Sequence, residues 1–211
     1  MAAQSKVIPL RAPAPHIKNG KVTPPRRVRN ADRRSREHLT STEVDAMVKA
    51  AGGVGRHGRR DAALLLIVYR HGLRVSEVVA LRWDQIDLKQ GLLHVNRVKN
   101  GVASTHPLRG PELRALRWLQ REYEGPYVFS TERDGPMTTS TVRKLVARAG
   151  ERAKLPFPVH PHMLRHACGY KLANDGHDTR ALQHYLGHKN IQHTVRYTEL
   201  APDRFKNFWR D

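Results

Sequence analysis

The spacing of apolar residues predicts a series of amphipathic helices from residue 40 onward. Hydroxyl and acidic side chains at 40–43 can cap a helix whose apolar positions Val44, Met47 and Val48 share one face. The apolar stretch over 61–70 predicts a second, buried helix that ends at 71–72. The same spacing recurs at seven further segments: 76–82, 111–122, 138–151, 161–174, 179–186, 191–197 and 204–209.

Two short segments between the early and the later helices have the character of strands. Residues 92–98 and 102–108 flank Asn100-Gly101, a dipeptide typical of a tight hairpin turn. These patterns together predict a fold that is mainly α with a small antiparallel β-sheet.

The first 38 residues differ in composition from the rest of the chain. They hold ten Lys and Arg residues against Asp32 and Glu37, a net charge of +8, and five prolines. Few large apolar residues accompany them, so the segment cannot bury enough surface to fold by itself. We therefore predict a disordered basic arm over 1–38 and one folded domain over 39–211.

Charge and cysteine content narrow the classes of function. The formal net charge of +19 over 211 residues favours a polyanionic partner, DNA or RNA, but does not separate an enzyme from a ribosomal or chromatin protein. Cys168 is the only cysteine, so no intrachain disulfide can form, which suits a reducing cytosol. The longest apolar run is too short to span a bilayer. We expect a cytoplasmic, nucleoid-associated protein with no membrane partner.

A group of histidines around Arg165 is the first candidate for chemistry. On the predicted helix, His162 and Arg165 are three residues apart and share a face, and an arginine fork can meet two phosphate oxygens at once. The three histidines His160, His162 and His166 suggest a zinc site as an alternative. However, no carboxylate or cysteine completes that set, and the Glu of a metalloprotease helix is missing. His166 by itself is interpreted as a packed helix histidine.

A second cluster combines His188 with Tyr197, nine residues apart. Gly187 ends the preceding helix, so the chain can turn and bring both side chains to one pocket beside Arg165. A tyrosine can attack phosphorus, but its unperturbed pKa near 10 means that cationic surroundings must help it to ionise. Each residue alone has a plainer interpretation: a core tyrosine and a helix cap.

Two further basic residues lie earlier in the chain. Arg74 follows a glycine break where a helix begins, and Glu77, one turn later, could orient it. Lys99 is at the tip of the predicted hairpin, from which it could donate a proton to a leaving oxygen. An ordinary surface Arg–Glu pair and a solvated lysine are the plainer alternatives.

Taken in chain order, these residues resemble the active site of the tyrosine recombinase (phage integrase) family. The motifs at 72–77, 162–166, 186–188 and 197–198 match that family's pattern. The likeness is closest to the short recombinases that invert the promoter element of type 1 fimbriae. The implied site residues are Arg74, Lys99, His162, Arg165, His188 and Tyr197.

The resemblance implies a role for each residue and a catalytic domain of the tyrosine recombinase fold. Arg74 and Arg165 would clamp the scissile phosphate, with His188 as a third donor. His162 would assist proton transfer from Tyr197, which would form a 3′-phosphotyrosyl bond. Lys99 would protonate the leaving 5′-hydroxyl, and the reaction would need no cofactor or metal.

The resemblance also implies partners. Double-stranded DNA would be the substrate, bound by a tetramer on paired sites. Most of the family carry an N-terminal core-binding domain for which this chain has no room beside its basic arm, so we expect accessory DNA-bending proteins to assist. Two alternatives remain, a non-catalytic DNA-binding regulator of the same fold and a relaxing enzyme that resembles type IB topoisomerases.

Overall fold

A computed structural model of the chain describes residues 16–18, 21–23, 36–97 and 102–199. Several predicted features lie outside these residues: Lys99, the hairpin turn at 100–101, the helix at 204–209 and most of the basic arm. The chain divides into two compact units, residues 1–36 and residues 37–211. In the first unit, a short antiparallel ladder pairs His16 with Thr23 and Lys18 with Lys21.

Within the described residues, eight α-helices accompany five short strands. The strands are β1 (His16–Lys18), β2 (Lys21–Thr23), β3 (Ile86–Asp87), β4 (Leu92–Val95) and β5 (Ser104–Pro107). The helices are α1 (Ser41–Gly52), α2 (Gly58–His71), α3 (Val75–Val79), α4 (Gly110–Glu122), α5 (Thr139–Arg152), α6 (Pro161–Asn174), α7 (Thr179–Leu186) and α8 (Gln192–Glu199). The predicted fold class, mainly α with a small antiparallel sheet, is confirmed.

Local sequence signals account for several helix ends. Thr40 caps α1: its hydroxyl accepts a bond from the Glu43 amide, and the Glu43 carboxylate accepts one from the Thr40 amide. Proline occupies the first turn of both α4 and α6, where its missing N–H costs nothing. Asp178 caps α7 by accepting a bond from the Ala181 amide.

The main core forms around α2, the helix predicted to be buried. Leu64, Leu65 and Ile67 are fully buried in it, and each such side chain stabilises the fold by about 1.5–3 kcal/mol. Helices α1, α4 and α6 pack directly against α2. The first arginine motif begins where this central helix ends, so the core fixes the position of that motif.

The small sheet is shorter than the sequence predicts and has one additional strand. Strands β4 and β5 pair antiparallel with Leu93 opposite His106, and β3 adds to the other edge of β4 with Ile86 opposite Leu93. The two-residue strand β3 was missed because so short a segment has no measurable alternation.

The predicted helix over 76–82 is wrong in its second half. Helix α3 ends at Val79, and the chain then turns outward to pair with a later segment: the Val128 amide donates to the Leu81 carbonyl, and the Trp83 amide donates to the Pro126 carbonyl. Helical spacing continued past the true end because the apolar Leu81 is buried by this non-local pairing instead.

A second apolar cluster joins the last three helices. Its buried residues are Cys168, Ala173, Leu182, Leu186 and Tyr197. At this cluster α7 and α8 pack against α6. No helix among the described residues is both long enough and apolar enough to cross a membrane.

Candidate active site

Arg74 is positioned by a glycine turn and by a buried carboxylate. Gly72 ends α2 in the left-handed conformation, with φ 57°, and Arg74 is the first residue before α3. Glu77 accepts one bond from the Arg74 amide at 2.8 Å and another from its guanidinium at 2.8 Å. The prediction that Glu77 could orient Arg74 therefore agrees with the observed contact.

Two opposing effects act on the pKa of Glu77. Burial alone would raise the pKa of this carboxyl group, but the Arg74 amide together with the charges of Arg97 and Arg74 lowers it below its ordinary value. Glu77 is therefore ionised, and it holds two arginines at once: Arg97 donates to its second oxygen at 2.9 Å.

Arg165 is anchored by two backbone carbonyl groups. It is 3% exposed and donates to the carbonyl oxygen of Gly72 and, at 2.6 Å, to that of Leu186. Burial, with the nearby charges of Arg74 and Arg97, lowers the pKa of Arg165 to about 10, so the guanidinium remains charged at neutral pH. Its two bonds link the turn before Arg74 to the end of α7.

His188 follows the left-handed turn at Gly187, with φ 63°, that ends α7. Its Nδ1 lies 2.8 Å from the hydroxyl of Thr194, which is fully buried. Among the described residues no group bonds to Nε2 of His188. When the Thr194 hydroxyl donates to Nδ1, the ring proton lies on Nε2, where it can be given to a ligand. Burial and the charges of Arg165 and Arg74 lower the pKa of His188 to about 3.

Tyr197 is almost completely buried, with 1% of its surface exposed. Its hydroxyl lies 2.8 Å from Nδ1 of His166, and its ring is nearly parallel to that of His188 at 6.2 Å between centroids. The ring also lies against Gly169, where a Cβ atom would come within 2.7 Å of it. Burial raises the pKa of Tyr197 to about 12, although the nearby charge of Arg165 acts to lower it.

The contacts of His166 and His162 on α6 differ from what the sequence interpretation expected. His166, interpreted as a packed helix residue, lies within hydrogen-bonding distance of the Tyr197 hydroxyl, and burial lowers its pKa to about 3. His162 lies one turn earlier on α6, is exposed, and stacks on His166 with 5.7 Å between ring centroids. Between His162 and Tyr197 the structure therefore interposes a second imidazole that sequence reasoning did not assign to the site.

Five of the six predicted site residues are neighbours in the structure. Contacts through Glu77 and the Gly72 turn join Arg74 to Arg165, and ring contacts join His188, Tyr197, His166 and His162. The sixth, Lys99, lies outside the described residues.

Arg97 is a further residue that sequence reasoning missed. Its side chain is completely buried and bonds to Glu77, inside the group that holds Arg74. A signal was available, because alternation along the strand puts residue 97 on the face of Leu93 and Val95, which are both buried. A charged residue at such a position needs a partner.

An open cleft of about 700 Å³ adjoins Arg74 and His188. Apart from Ile191, its lining residues are basic or polar, and none of them is acidic. The lining residues are Arg74, Arg180, Gln183, His188, Lys189, Asn190, Ile191 and His193. Such a surface suits a phosphate backbone. In the part of the chain that the structure describes, no group of three or more His, Cys, Asp or Glu side chains could hold a metal ion.

Comparison with known proteins gives the chain a family. Residues 37–204 match the phage integrase family. The type 1 fimbriae regulatory protein FimB of Escherichia coli K12 is 41% identical over 185 residues, which cover 85% of this chain and 92% of FimB. Tyrosine recombinase XerD of Ralstonia nicotianae is 35% identical over 80% of this chain and 57% of its own length.

A solved structure supports the same fold. The XerH site-specific recombinase, in a post-cleavage complex with its palindromic difH substrate, superposes with a TM-score of 0.70 at 19% identity. The match covers 90% of this chain and 60% of the XerH chain. The resemblance inferred from the motifs is confirmed, including its fimbrial branch. The chain therefore belongs to the phage integrase family, the tyrosine recombinases.

Proposed function

We propose that this chain is a site-specific recombinase that cuts and rejoins double-stranded DNA through a covalent bond between Tyr197 and a 3′-phosphate. The observation that carries the proposal is the grouping of Arg74, Arg165, His188 and Tyr197 through shared contacts, with Arg74 and His188 lining one basic cleft. Each of the four residues alone would have a structural explanation, but together they are the groups that phosphoryl transfer requires.

The two arginines and His188 are the proposed phosphate clamp. A guanidinium has five N–H donors, and the described bonds of Arg165 to two carbonyl groups leave some of them for phosphate oxygens. Arg74 retains donors beyond its bonds to Glu77, and 28% of its side chain is exposed. Charge that develops on the non-bridging oxygens would therefore meet donors that are already in place.

In the proposed cleavage step, the Tyr197 oxygen attacks phosphorus and the bond from phosphorus to the 5′-oxygen breaks. The phenol proton passes toward the two helix histidines: His166 is hydrogen-bonded to the hydroxyl, and His162 stacks on His166. The departing 5′-oxygen takes a proton from Lys99, a role that comes from the family resemblance. One phosphoester replaces another, so the later attack of a 5′-hydroxyl reverses the step and rejoins DNA without ATP.

The buried position of Tyr197 adds a requirement. A phenol that is 1% exposed cannot touch a phosphate in the cleft, so α8 or the ring must move before attack. Arg165, which is 3% exposed, must be uncovered by the same movement. We infer that the described arrangement is a resting state in which the clamp is assembled and the nucleophile is withheld.

A nicked suicide substrate tests this function. After cleavage, a short DNA fragment diffuses away, so the strand cannot be rejoined and the protein remains covalently bound to the DNA. This adduct survives denaturing electrophoresis. We expect an adduct with the unaltered chain and none with Tyr197→Phe. Arg165→Ala should slow adduct formation by about 10²–10³-fold while DNA affinity stays near normal, since the basic surface supplies most of the binding.

Three other results would change the conclusion. Tight, sequence-specific binding with no adduct under any condition would indicate a non-catalytic DNA-binding regulator. Relaxation of any supercoiled plasmid, without paired sites, would indicate a type IB topoisomerase-like activity. Loss of DNA affinity in Arg165→Ala would mean that Arg165 serves binding and not the transition state.

The likeness to FimB extends the proposal to the outcome of the reaction. We propose inversion of a DNA segment, carried out by a tetramer on two sites with the assistance of accessory DNA-bending proteins. A plasmid with two inverted sites from the region beside the coding sequence tests it. Restriction mapping should show inversion, and excision from directly repeated sites at a higher rate would contradict it.

A further inference from the structure

We propose that Arg97 is a positioning residue for the DNA cleavage step. It holds the phosphate-binding groups in place through contacts with the residues that support them. The inference rests on the proposed recombinase function and adds a residue to it. Arg97 is the last described residue of the segment that follows β4, and its side chain is completely buried. It therefore does not contact DNA itself, and any effect on the reaction must pass through its neighbours.

The first of these neighbours is Glu77. One carboxylate oxygen of Glu77 accepts from the Arg74 guanidinium, and the other accepts from the Arg74 amide and from Arg97 at 2.9 Å. A carboxylate held on both oxygens cannot turn about its terminal bond. The plane that Arg97 imposes on Glu77 is thus the plane in which Arg74 is presented.

The second contact lies at the end of α7. Arg97 donates to the carbonyl oxygen of Tyr185, and its aliphatic stem lies flat on Gly187. A Cβ atom at residue 187 would lie 2.7 Å from Cγ, Cδ and Nε of Arg97. Between those two positions is the Leu186 carbonyl that anchors Arg165, and His188 follows directly.

Arg97 thus contacts a group that holds each of the three proposed phosphate-binding residues. It reaches Arg74 through Glu77, and it reaches Arg165 and His188 through the turn at 185–187. Among the described ion pairs, Glu77 is the carboxylate that serves Arg74 and Arg97, and Arg165 has no acidic partner there. Three guanidinium groups against one carboxylate leave an excess of positive charge that the single negative charge of a phosphodiester would partly neutralise.

The experiment compares Arg97→Lys with Arg60→Lys as a matched control. As whole residues Arg60 is 7% exposed and Arg97 is 8% exposed, while their side chains are 9% and 0% exposed. Each binds one carboxylate and one backbone carbonyl. The contacts of Arg60 are with Asp61 and Ser130, neither of which belongs to the site. Lysine keeps the charge at either position and removes the two-pronged fork.

Single-turnover adduct formation on the suicide substrate is measured after circular dichroism has shown that both variants fold. We expect Arg97→Lys to bind DNA normally and to cleave about 100-fold more slowly, the cost of a misplacement of roughly 1 Å in the reacting groups. Arg60→Lys should cleave at the normal rate. Equal rates for the two variants would overturn the inference while leaving the recombinase function intact.

A second substrate separates positioning from general loosening of the fold. A methylphosphonate at the cleaved position replaces one charged oxygen with a methyl group, so the clamp has less charge to stabilise. The deficit of Arg97→Lys should be several-fold smaller on this substrate, whereas a loosened fold would slow both substrates alike.

Two outcomes would refute the proposed role of Arg97 for different reasons. If Arg97→Lys fails to fold where Arg60→Lys folds, Arg97 is a residue of the core and its positioning role is refuted. If the unaltered chain forms no adduct on either substrate, the proposed function fails, and the role of Arg97 in cleavage fails with it.

Discussion

Replacement of Gly169 by alanine should release Tyr197 from its buried position. A Cβ atom at residue 169 would lie 2.7, 2.8 and 2.9 Å from Cε2, Cζ and Cδ2 of the Tyr197 ring. Carbon atoms in contact normally lie about 3.5–4.0 Å apart. The ring must therefore shift by about 1 Å or leave its position, and either change disturbs the 2.8 Å contact with His166.

The size of the effect follows from two opposed contributions. Alanine in a helix interior is favoured over glycine by about 0.8–1.0 kcal/mol, and overpacking costs about 1–3 kcal/mol while the ring stays in place. The helix contribution is the same whether the ring is seated or released. The balance between the two ring positions therefore shifts by the overpacking cost, and even 1–2 kcal/mol corresponds to about 5–30-fold.

Two measurements report the position of the ring. Burial raises the pKa of Tyr197 to about 12, and release should return it toward 10, so phenolate absorbance should appear at lower pH. The Tyr197→Phe chain supplies the baseline for the other tyrosines. Cleavage of the suicide substrate in a single turnover should become faster, by up to about 5–30-fold, because the nucleophile no longer has to leave a favourable site.

Gly150→Ala is the matched control. A Cβ atom there would lie 2.6 Å from the side chain of Val159, which precedes α6, so the overpacking is similar but presses on no residue of the site. This variant should lose stability without changing the titration of Tyr197. The reasoning is refuted if Gly169→Ala folds but cleaves more slowly, because the seated ring would then be the reactive one.

Two further predictions concern pH and the basic arm. His106, His166 and His188 each have a pKa lowered to about 3, first by burial. Their unfolded forms take up protons below about pH 6.5 while the folded forms do not. Stability should thus be complete above pH 6.5 and fall toward pH 3, with the buried His106 alone contributing about 1.4 kcal/mol per pH unit; urea titrations with a constant midpoint from pH 7 to 5 would contradict this. Deletion of residues 1–38 should weaken DNA binding and reduce its dependence on salt, and an unchanged salt slope in fluorescence anisotropy would show that the arm makes no phosphate contacts.

Signals that act between close neighbours in the chain were sufficient to predict much of this protein. The bounds of α6 and α7 were predicted as they occur, because Pro161 starts one helix and Gly187 ends the other. Helix periodicity also predicted that His162 and Arg165 lie one turn apart on α6. The order of the motifs then indicated the family, which the comparisons confirm.

The features that were missed depend on partners far away in the chain. Helix α3 stops at Val79 because Leu81 pairs with a segment more than forty residues later, as the 3.0 Å bond from the Val128 amide shows. The role of Arg97 depends on Glu77, twenty residues earlier, and on a carbonyl group 88 residues later. His166 meets Tyr197 only because α8 folds back onto α6. Local spacing contains no information on such pairings.

The contacts that fold this site also divide its chemistry into two parts. The bonds of Arg165 to the Gly72 and Leu186 carbonyls, and of Arg74 to Glu77, exist without DNA, so the clamp is oriented before a phosphate arrives and little reorganisation remains. Tyr197 is oriented by contacts that compete with its reaction, since its hydroxyl is bonded to His166 and its surface is buried. A clamp that is already oriented and a nucleophile that is still buried together favour binding before cleavage. We therefore expect DNA to be held at the site first and cut only after Tyr197 has left its position against Gly169.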